Sequence, residues 1–297
     1  MIPFDFSSSG APGELIRLSP LVRRMVAGNA GPMTFTGTCT YIIGSGEVTV
    51  IDPGPNRPEH IAALLGALGG ETIKNILVTH THKDHSPATK ILKAATGAKI
   101  FGCPPYEGTG SWQFSMGDVA NDREYAPDII LRDGETVISK HFSLVCVETP
   151  GHARNHLAYA LPEENALFSG DHVMAWSTSI VVPPDGAMGA YMSSLLRLLE
   201  RKEEIYWPGH GGPIRQPRAF VRALIAHRRA REKSILAKLG PSGSTIPAIV
   251  EQLYPDLSEE LAPAARLTVY AHLEDLTERG LAQCDGAPSL SRRYERA

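Results

Sequence analysis

The chain has 297 residues, 42% of them hydrophobic and 21% charged, with a formal net charge of −3. That length holds one large domain plus a small one with a substantial core, and the balance is that of an ordinary globular protein. It excludes a whole-chain argument for nucleic acid, membrane or an acidic partner, and no apolar run approaches the roughly 18 residues of a membrane-spanning helix. From the N-terminus, residues 15 to 27 and 40 to 52 carry β-branched stretches broken by Gly and Pro. Tyr41-Ile42-Ile43 and Val48-Thr49-Val50-Ile51 read as strands about the turn Gly44-Ser45-Gly46, the second running into Asp52-Pro53-Gly54. A helix over about 57 to 68 places Ile61, Leu64, Leu65 and Leu68 on one face and closes at Gly69-Gly70. A strand at 75 to 79, a helix at about 87 to 95 and a strand near 99 to 102 complete an alternation that predicts an α/β layered fold.

Residues 103 to 134, rich in Gly, Pro, Asp and aromatics without a period, read as a long loop and a candidate lid. Strands return at 136 to 138, 143 to 148, 157 to 161 and 166 to 169, before a helix at about 190 to 200 and a last strand at 205 to 207. From Pro217 the character changes to a basic helix over 217 to 239, two further helices at about 245 to 254 and 260 to 279, and a terminal hairpin, the pattern of a small winged-helix-like domain. Cys39, Cys103, Cys146 and Cys284 are widely spaced, with no Cys-x-x-Cys pair, and residues 1 to 13 carry no signal pattern; a reduced, cytoplasmic protein is the expectation.

Chemistry concentrates in His80-Thr81-His82-Lys83-Asp84-His85, between the apolar run Ile76-Leu77-Val78 and the helix start Ser86-Pro87, where Ser86 reads as the N-cap. Imidazole and carboxylate suit zinc or a similar divalent ion. Four such donors in six residues are too many for one tetrahedral ion that keeps a position for water, so they look shared between two ions. Three more ligand types each end a strand behind a glycine: His152 in Thr149-Pro150-Gly151-His152, Asp171 in Ser169-Gly170-Asp171-His172, and His210 in Trp207-Pro208-Gly209-His210. Glycine there lets the backbone turn sharply at the sheet edge.

The His-x-His-x-Asp-His loop followed in order by Gly-His, Gly-Asp and Pro-Gly-His resembles the metallo-β-lactamase-fold hydrolase superfamily, over about residues 15 to 215. Gly31-Pro32, Gly37-Thr38-Cys39-Thr40-Tyr41, Tyr191-Met192-Ser193-Ser194-Leu195 and the C-terminal helices are similar to the β-lactamase-like protein 2 group, which includes endoribonucleases; Cys39 departs from the asparagine usual there. The resemblance implies an αβ/βα four-layer sandwich over residues 1–215 and a winged-helix-like domain over 216–297. It implies two zinc ions per chain, with manganese or iron as substitutes. His80, His82 and His152 would hold the first, Asp84, His85 and His210 the second, and Asp171 would bridge them. A hydroxide bridging two such ions is a nucleophile available near neutral pH, and Asp84 would also manage a proton, which makes Asp84 and Asp171 the expected catalytic carboxylates.

Asp52 reads either as a residue orienting a ligating imidazole or as an Asp-Pro-Gly turn former. Tyr191 reads as a donor to substrate or as an aromatic opening a helix. His156 and His172 are expected to be hydrogen-bonded structure, Trp112, Phe114 and Trp176 to pack in loops or line the pocket, and Cys39 not to act as nucleophile.

Three functions follow. The first is a phosphodiesterase on single-stranded RNA, favoured by the family likeness and by Arg215, Arg218, Arg222, Arg228, Arg229 and Arg231. The second is an ester or thioester hydrolase resembling glyoxalase II. The third, not an enzyme, is a metal-dependent DNA-binding regulator. Residues 217 to 297 hold 12 Lys/Arg against 10 Asp/Glu, weak for a nucleic-acid face. The small domain is expected to wall the cleft or to form a homodimer.

Overall fold

The structure is a computed structural model that describes residues 2–7, 9–108, 120–259 and 261–297. Strands β1 (Leu15–Arg17), β2 (Val22–Val26), β3 (Cys39–Ser45) and β4 (Glu47–Ile51) pair antiparallel in sequence. Helix α1 (Pro58–Ala67) then leads to β5 (Thr72–Val78), and α2 (Ala88–Thr96) to β6 (Lys99–Gly102) and the short β7 (Ile129–Ile130). Strands β4 to β7 run parallel, completing a seven-stranded sheet in chain order. A second sheet of five strands contains β8 (Thr136–Ile138), β9 (Ser143–Glu148), β10 (Leu157–Leu161), β11 (Ala166–Gly170) and β12 (Ile205–Pro208), with α3 (Met188–Leu199) crossing between the parallel β11 and β12.

The period-two alternation of the second sheet explains the layering. Leu144 and Cys146 of β9, Leu157, Tyr159 and Leu161 of β10, Phe168 of β11 and Trp207 of β12 enter a core shared with Ile42, Val50 and Ile76 of the first sheet. Their neighbours Val147, Ala158, Ala160, Leu167 and Tyr206 enter a second core with Tyr191 and Leu195 of α3. Both faces of the sheet are therefore buried, one against the other sheet and one against helices. With α1 and α2 on the first sheet, this is the αβ/βα sandwich. Each fully buried Leu or Phe contributes about 1.5–3 kcal/mol, so the two cores hold the two layers together.

The C-terminal region comprises α4 (Pro217–Leu236), β13 (Ser244–Thr245), α5 (Ile246–Leu253), α6 (Ala262–Glu278), β14 (Ala282–Cys284) and β15 (Arg293–Arg296). The last three strands form a small sheet in the order β13-β15-β14, the wing. Helix α4 is shared: Phe220, Val221, Leu224 and Ile225 pack with α3, whereas Ile235 packs with Ile249, Leu273 and Tyr294 of the wing domain.

Every candidate ligand stands just past the C-terminal end of a strand, and backbone bonds stitch the two sheets there. Leu157 N donates to Thr79 O (2.7 Å) and Cys39 N to Gly209 O (2.8 Å), while Gly209 N donates to Gly170 O (2.8 Å) within the second sheet. Ser86 does not cap α2 with its side chain. Its hydroxyl donates to Asp122 Oδ2 at 2.8 Å, and the helix proper opens at Ala88.

Candidate metal centre

The parallel pair β4 and β5 brings Asp52 beside the 80–85 loop, and the parallel pair β11 and β12 brings Asp171 beside His210. His152, past β9, closes the ring. Three donor groups result, each with ligand atoms within 4.8 Å of one another: His80, His82 and His152; His80, His85 and Asp171; Asp84, His85 and His210. In the first, His82 Nδ1 lies 3.0 Å from His80 Nε2 and 3.1 Å from His152 Nε2. In the last, Asp84 Oδ2 lies 3.4 Å from His85 Nε2 and 3.2 Å from His210 Nε2. Asp171 stands between the groups: Oδ2 is 3.7 Å from His152 Nε2 and 3.3 Å from His210 Nε2, and Oδ1 is 3.5 Å from His85 Nε2.

The outward bonds of the imidazoles decide which nitrogen faces inward. His152 Nδ1 donates to the Ile180 carbonyl (2.6 Å) and His210 Nδ1 to that of Gly37 (3.2 Å). His85 Nδ1 donates to Asp52 Oδ2 (2.9 Å). Thr79 spends its hydroxyl proton on Asp52 Oδ2 (2.7 Å), so its oxygen accepts from His80 Nδ1 (2.9 Å). His82 points its Nε2 at Asp185 Oδ2, 3.6 Å away, and turns Nδ1 inward. Five imidazoles thus converge, four with their other nitrogen hydrogen-bonded and His82 with its own facing a carboxylate. His85 Nε2, His210 Nε2 and Asp171 Oδ1 are moreover buried without a hydrogen-bond partner, a costly arrangement unless something cationic completes it. Donor separations of 3.0–3.7 Å match those around a tetrahedral ion with bonds of about 2.0–2.2 Å. The residues fit a pair of divalent ions.

Protonation divides the centre. Burial, reinforced by the neighbouring His85 and His82, holds His80 well below the usual imidazole range, and burial beside His82 brings His152 to about 4. Burial also disfavours charge on His210 and His85, yet Asp171 and Asp84 overcome it: His210 is pushed up to about 10 and His85 well above its ordinary value. Burial opposes ionisation of Asp171 and Asp84, but His210 and His85 hold both well below the usual carboxylate range.

The chain matches the family model described as "Metallo-beta-lactamase superfamily" over residues 33–210. It belongs to that superfamily. A second model, "Beta-lactamase associated winged helix domain", matches residues 245–289. A β-lactamase-like protein 2 homolog of Drosophila melanogaster is 31% identical over 275 residues, covering 89% of this chain and 90% of that one. An atrochrysone carboxyl ACP thioesterase of Aspergillus fumigatus is 32% identical over 232 residues, 76% of this chain and 67% of the other. Among solved structures, a metallo-β-lactamase family protein from Thermus thermophilus aligns with a TM-score of 0.75 at 26% identity, over 95% of this chain and all (100%) of that one. This chain is a metallo-β-lactamase superfamily hydrolase.

Around the superfamily's metal loop, several residues have other duties. His156 accepts the Asp171 amide on Nε2 (3.1 Å) and engages Thr149 Oγ1 through Nδ1 (2.8 Å), fixing the Asp171 backbone. Tyr191 is fully buried, its hydroxyl donating to His172 O at 3.2 Å, so it faces the interior rather than the cleft. Trp176 stacks on Phe35 with ring centroids 5.0 Å apart; Trp112 and Phe114 lie outside the described residues. Cys39 is buried, and the cysteines are free thiols. Asp185, absent from the sequence reading, is buried beside His82, where it accepts from Asn121 Nδ2 (2.9 Å) and the Arg154 amide (3.1 Å). A cavity of about 390 Å³ opens over Asp84, Asp171 and His152; Met33, Met174, Ile180 and Val182 form its apolar wall, and Thr34, His82, Lys83, Ala120 and Asp185 line the rest.

Proposed function

We propose that the chain is a dinuclear metal-dependent thioester hydrolase acting on substrates with an apolar acyl group. The carrying observation is the cavity wall: the approach to the metal ligands is lined by Met33, Met174, Ile180 and Val182. Apolar walls favour an acyl chain or ring by the area they remove from water. The likeness to a protein named as an acyl-carrier thioesterase supports the same reading. His80, His82 and His152 would hold one ion, Asp84, His85 and His210 the other, and Asp171 both. Bound divalent metal, with zinc the ion best suited to these ligands, lowers the pKa of coordinated water toward about 7 and polarises the attacked carbonyl.

The chain's own residues orient this chemistry. Asp52 holds His85, Asp185 faces His82, and the Ile180 and Gly37 carbonyls hold His152 and His210. Asp84, about a quarter exposed and facing the cavity, is placed to take the proton that the attacking water gives up and to pass it to the leaving thiolate.

The arginines that favoured RNA do not gather at the cavity. Arg215, Arg218 and Arg222 border a separate groove with Lys202, Arg228 is buried, and Arg231 lies over the Tyr254 ring. The test is a matched panel on metal-loaded protein: medium-chain and aromatic acyl thioesters beside single-stranded RNAs. Metal-dependent thiol release with no RNA cleavage is expected. RNA cleavage without thioester turnover would overturn the assignment.

A further inference from the structure

We propose that Lys83 recognises an anionic group, phosphate or carboxylate, on the thiol arm of the substrate. This rests on the thioesterase reading. Lys83 stands between His82 and Asp84 in the metal loop, and it is the sole Lys or Arg among the described residues lining the metal cavity, whose other charged groups there are Asp84, Asp171 and Asp185. Its backbone is fixed. Lys83 N donates to Ala120 O (2.7 Å), the Asp122 amide donates to Thr81 O (2.7 Å), and His82 bridges Asn121 between them. The side chain is exposed and pairs with no acid among the described residues.

Lys83 also lines a second, larger hollow of about 940 Å³ with Asn56, Thr89, Lys90 and Arg123. The acids of that hollow are occupied: Asp122 accepts from Ser86 Oγ (2.8 Å) and the Glu124 amide (2.9 Å), and Glu124 pairs with Lys90 at 3.2 Å. Lys83, without an acidic partner among the described residues, thus lines both spaces. A thioester with its acyl group among Met33, Met174 and Val182 and its carbonyl over the ligand cluster can lead its thiol arm out past the loop, and Lys83 is the cation that lines both spaces. With a net charge of −3, the chain has no general attraction for anions, so this single contact would decide between arms of different charge.

The experiment compares one acyl group on three thiols, namely coenzyme A (phosphates), glutathione (carboxylates) and N-acetylcysteamine (neutral). Wild type, Lys83→Gln, Lys83→Glu and Lys83→Arg are assayed, each with its metal content measured because Lys83 adjoins two ligands. The preference in kcat/KM for a charged arm over the neutral arm is expected to fall about tenfold in Lys83→Gln, the size of one charge-assisted hydrogen bond, through KM. It should fall further in Lys83→Glu, return in Lys83→Arg, and shrink in wild type as salt rises. Whichever charged arm loses its advantage names the anion. Thioester turnover with preferences that stay within twofold across the variants would overturn the role of Lys83 alone. Turnover of none of the three thioesters would overturn the role and the thioesterase reading together.

Discussion

Asp52 Oδ2 lies 2.9 Å from His85 Nδ1, and the same carboxylate takes the Thr79 amide at 2.8 Å and the Thr79 hydroxyl at 2.7 Å. One buried side chain from the end of β4 thus fixes the end of β5, one ligand of the second subsite and, through Thr79, the His80 imidazole of the first. Its backbone sits at φ +49°, a conformation that Asp and Asn tolerate better than most residues. Asp52→Asn keeps the backbone and removes the charge. We expect metal affinity to fall about 10–100-fold at the second subsite, as is usual when a partner of a ligating histidine is lost. Metal titration followed by mass spectrometry reads this directly. Two ions per chain held as tightly as in wild type would reduce Asp52 to a turn former.

Asp185 does for His82 what Asp52 does for His85, from a different part of the chain. Its charge faces Nε2 at 3.6 Å, too long for a full hydrogen bond in this structure but close enough to favour the tautomer with Nδ1 inward. Asp185→Asn should weaken the first subsite by about tenfold and leave the second nearly untouched, the reverse of Asp52→Asn. Cobalt-substituted protein separates the two subsites by absorbance. Loss at the second subsite instead would assign Asp185 to the wrong ion.

Those two carboxylates also mark how far the sequence could be read. The cluster of candidate ligands that the structure gathers was legible because its spacing is local: a loop of six residues, then Gly-His, Gly-Asp and Gly-His at strand ends. The strands of the second sheet were legible because alternate residues serve two cores, as Val145 and Cys146 do. Asp52 was half legible, since an Asp-Pro-Gly turn reads the same with or without a histidine beside it. Asp185 was invisible, lying in an irregular Pro-Pro-Asp-Gly stretch that no strand precedes and reaching His82 from a distant part of the chain. Ser86 failed as an N-cap because the helix opens at Ala88 with Pro87 in the cap position, while the Ser86 hydroxyl turns to donate to Asp122, 36 residues on.

The glycine of Pro208-Gly209-His210 has a tighter duty than turning. A Cβ there would stand 2.3 Å from Asp171 Oδ1 and 2.8 Å from His85 Cε1, so the residue is small because two candidate ligands pass over it. Gly209→Ala should push Asp171 aside, lower activity by about a hundredfold or more and cost about 1–3 kcal/mol of stability from overpacking. Activity and thermal melting of the metal-loaded protein check this together. A variant with full activity would mean that Asp171 does not sit where both ions need it.

The two subsites should also differ in their response to pH. Without metal at neutral pH, His80 and His152 are neutral, because burial and neighbouring imidazoles hold them low, His152 at about 4. His210, near 10, and His85, raised by its three carboxylate neighbours, hold protons on nitrogens that a second ion would need. Filling the first subsite should therefore release almost no proton from His80 and His152, whereas filling the second should release up to two from His85 and His210. The sign follows: each proton displaced weakens apparent binding up to about tenfold for every unit the pH falls below the raised pKa. Between about pH 8 and 6 the second ion should be lost first, with activity falling alongside it. Calorimetric titration of zinc into metal-free protein, in buffers of different ionisation enthalpy, counts the protons at each step. Equal proton release at both steps, or a second ion held with the same affinity across that range, would show that His85 and His210 enter the metal-free protein uncharged and that the carboxylates are balanced some other way.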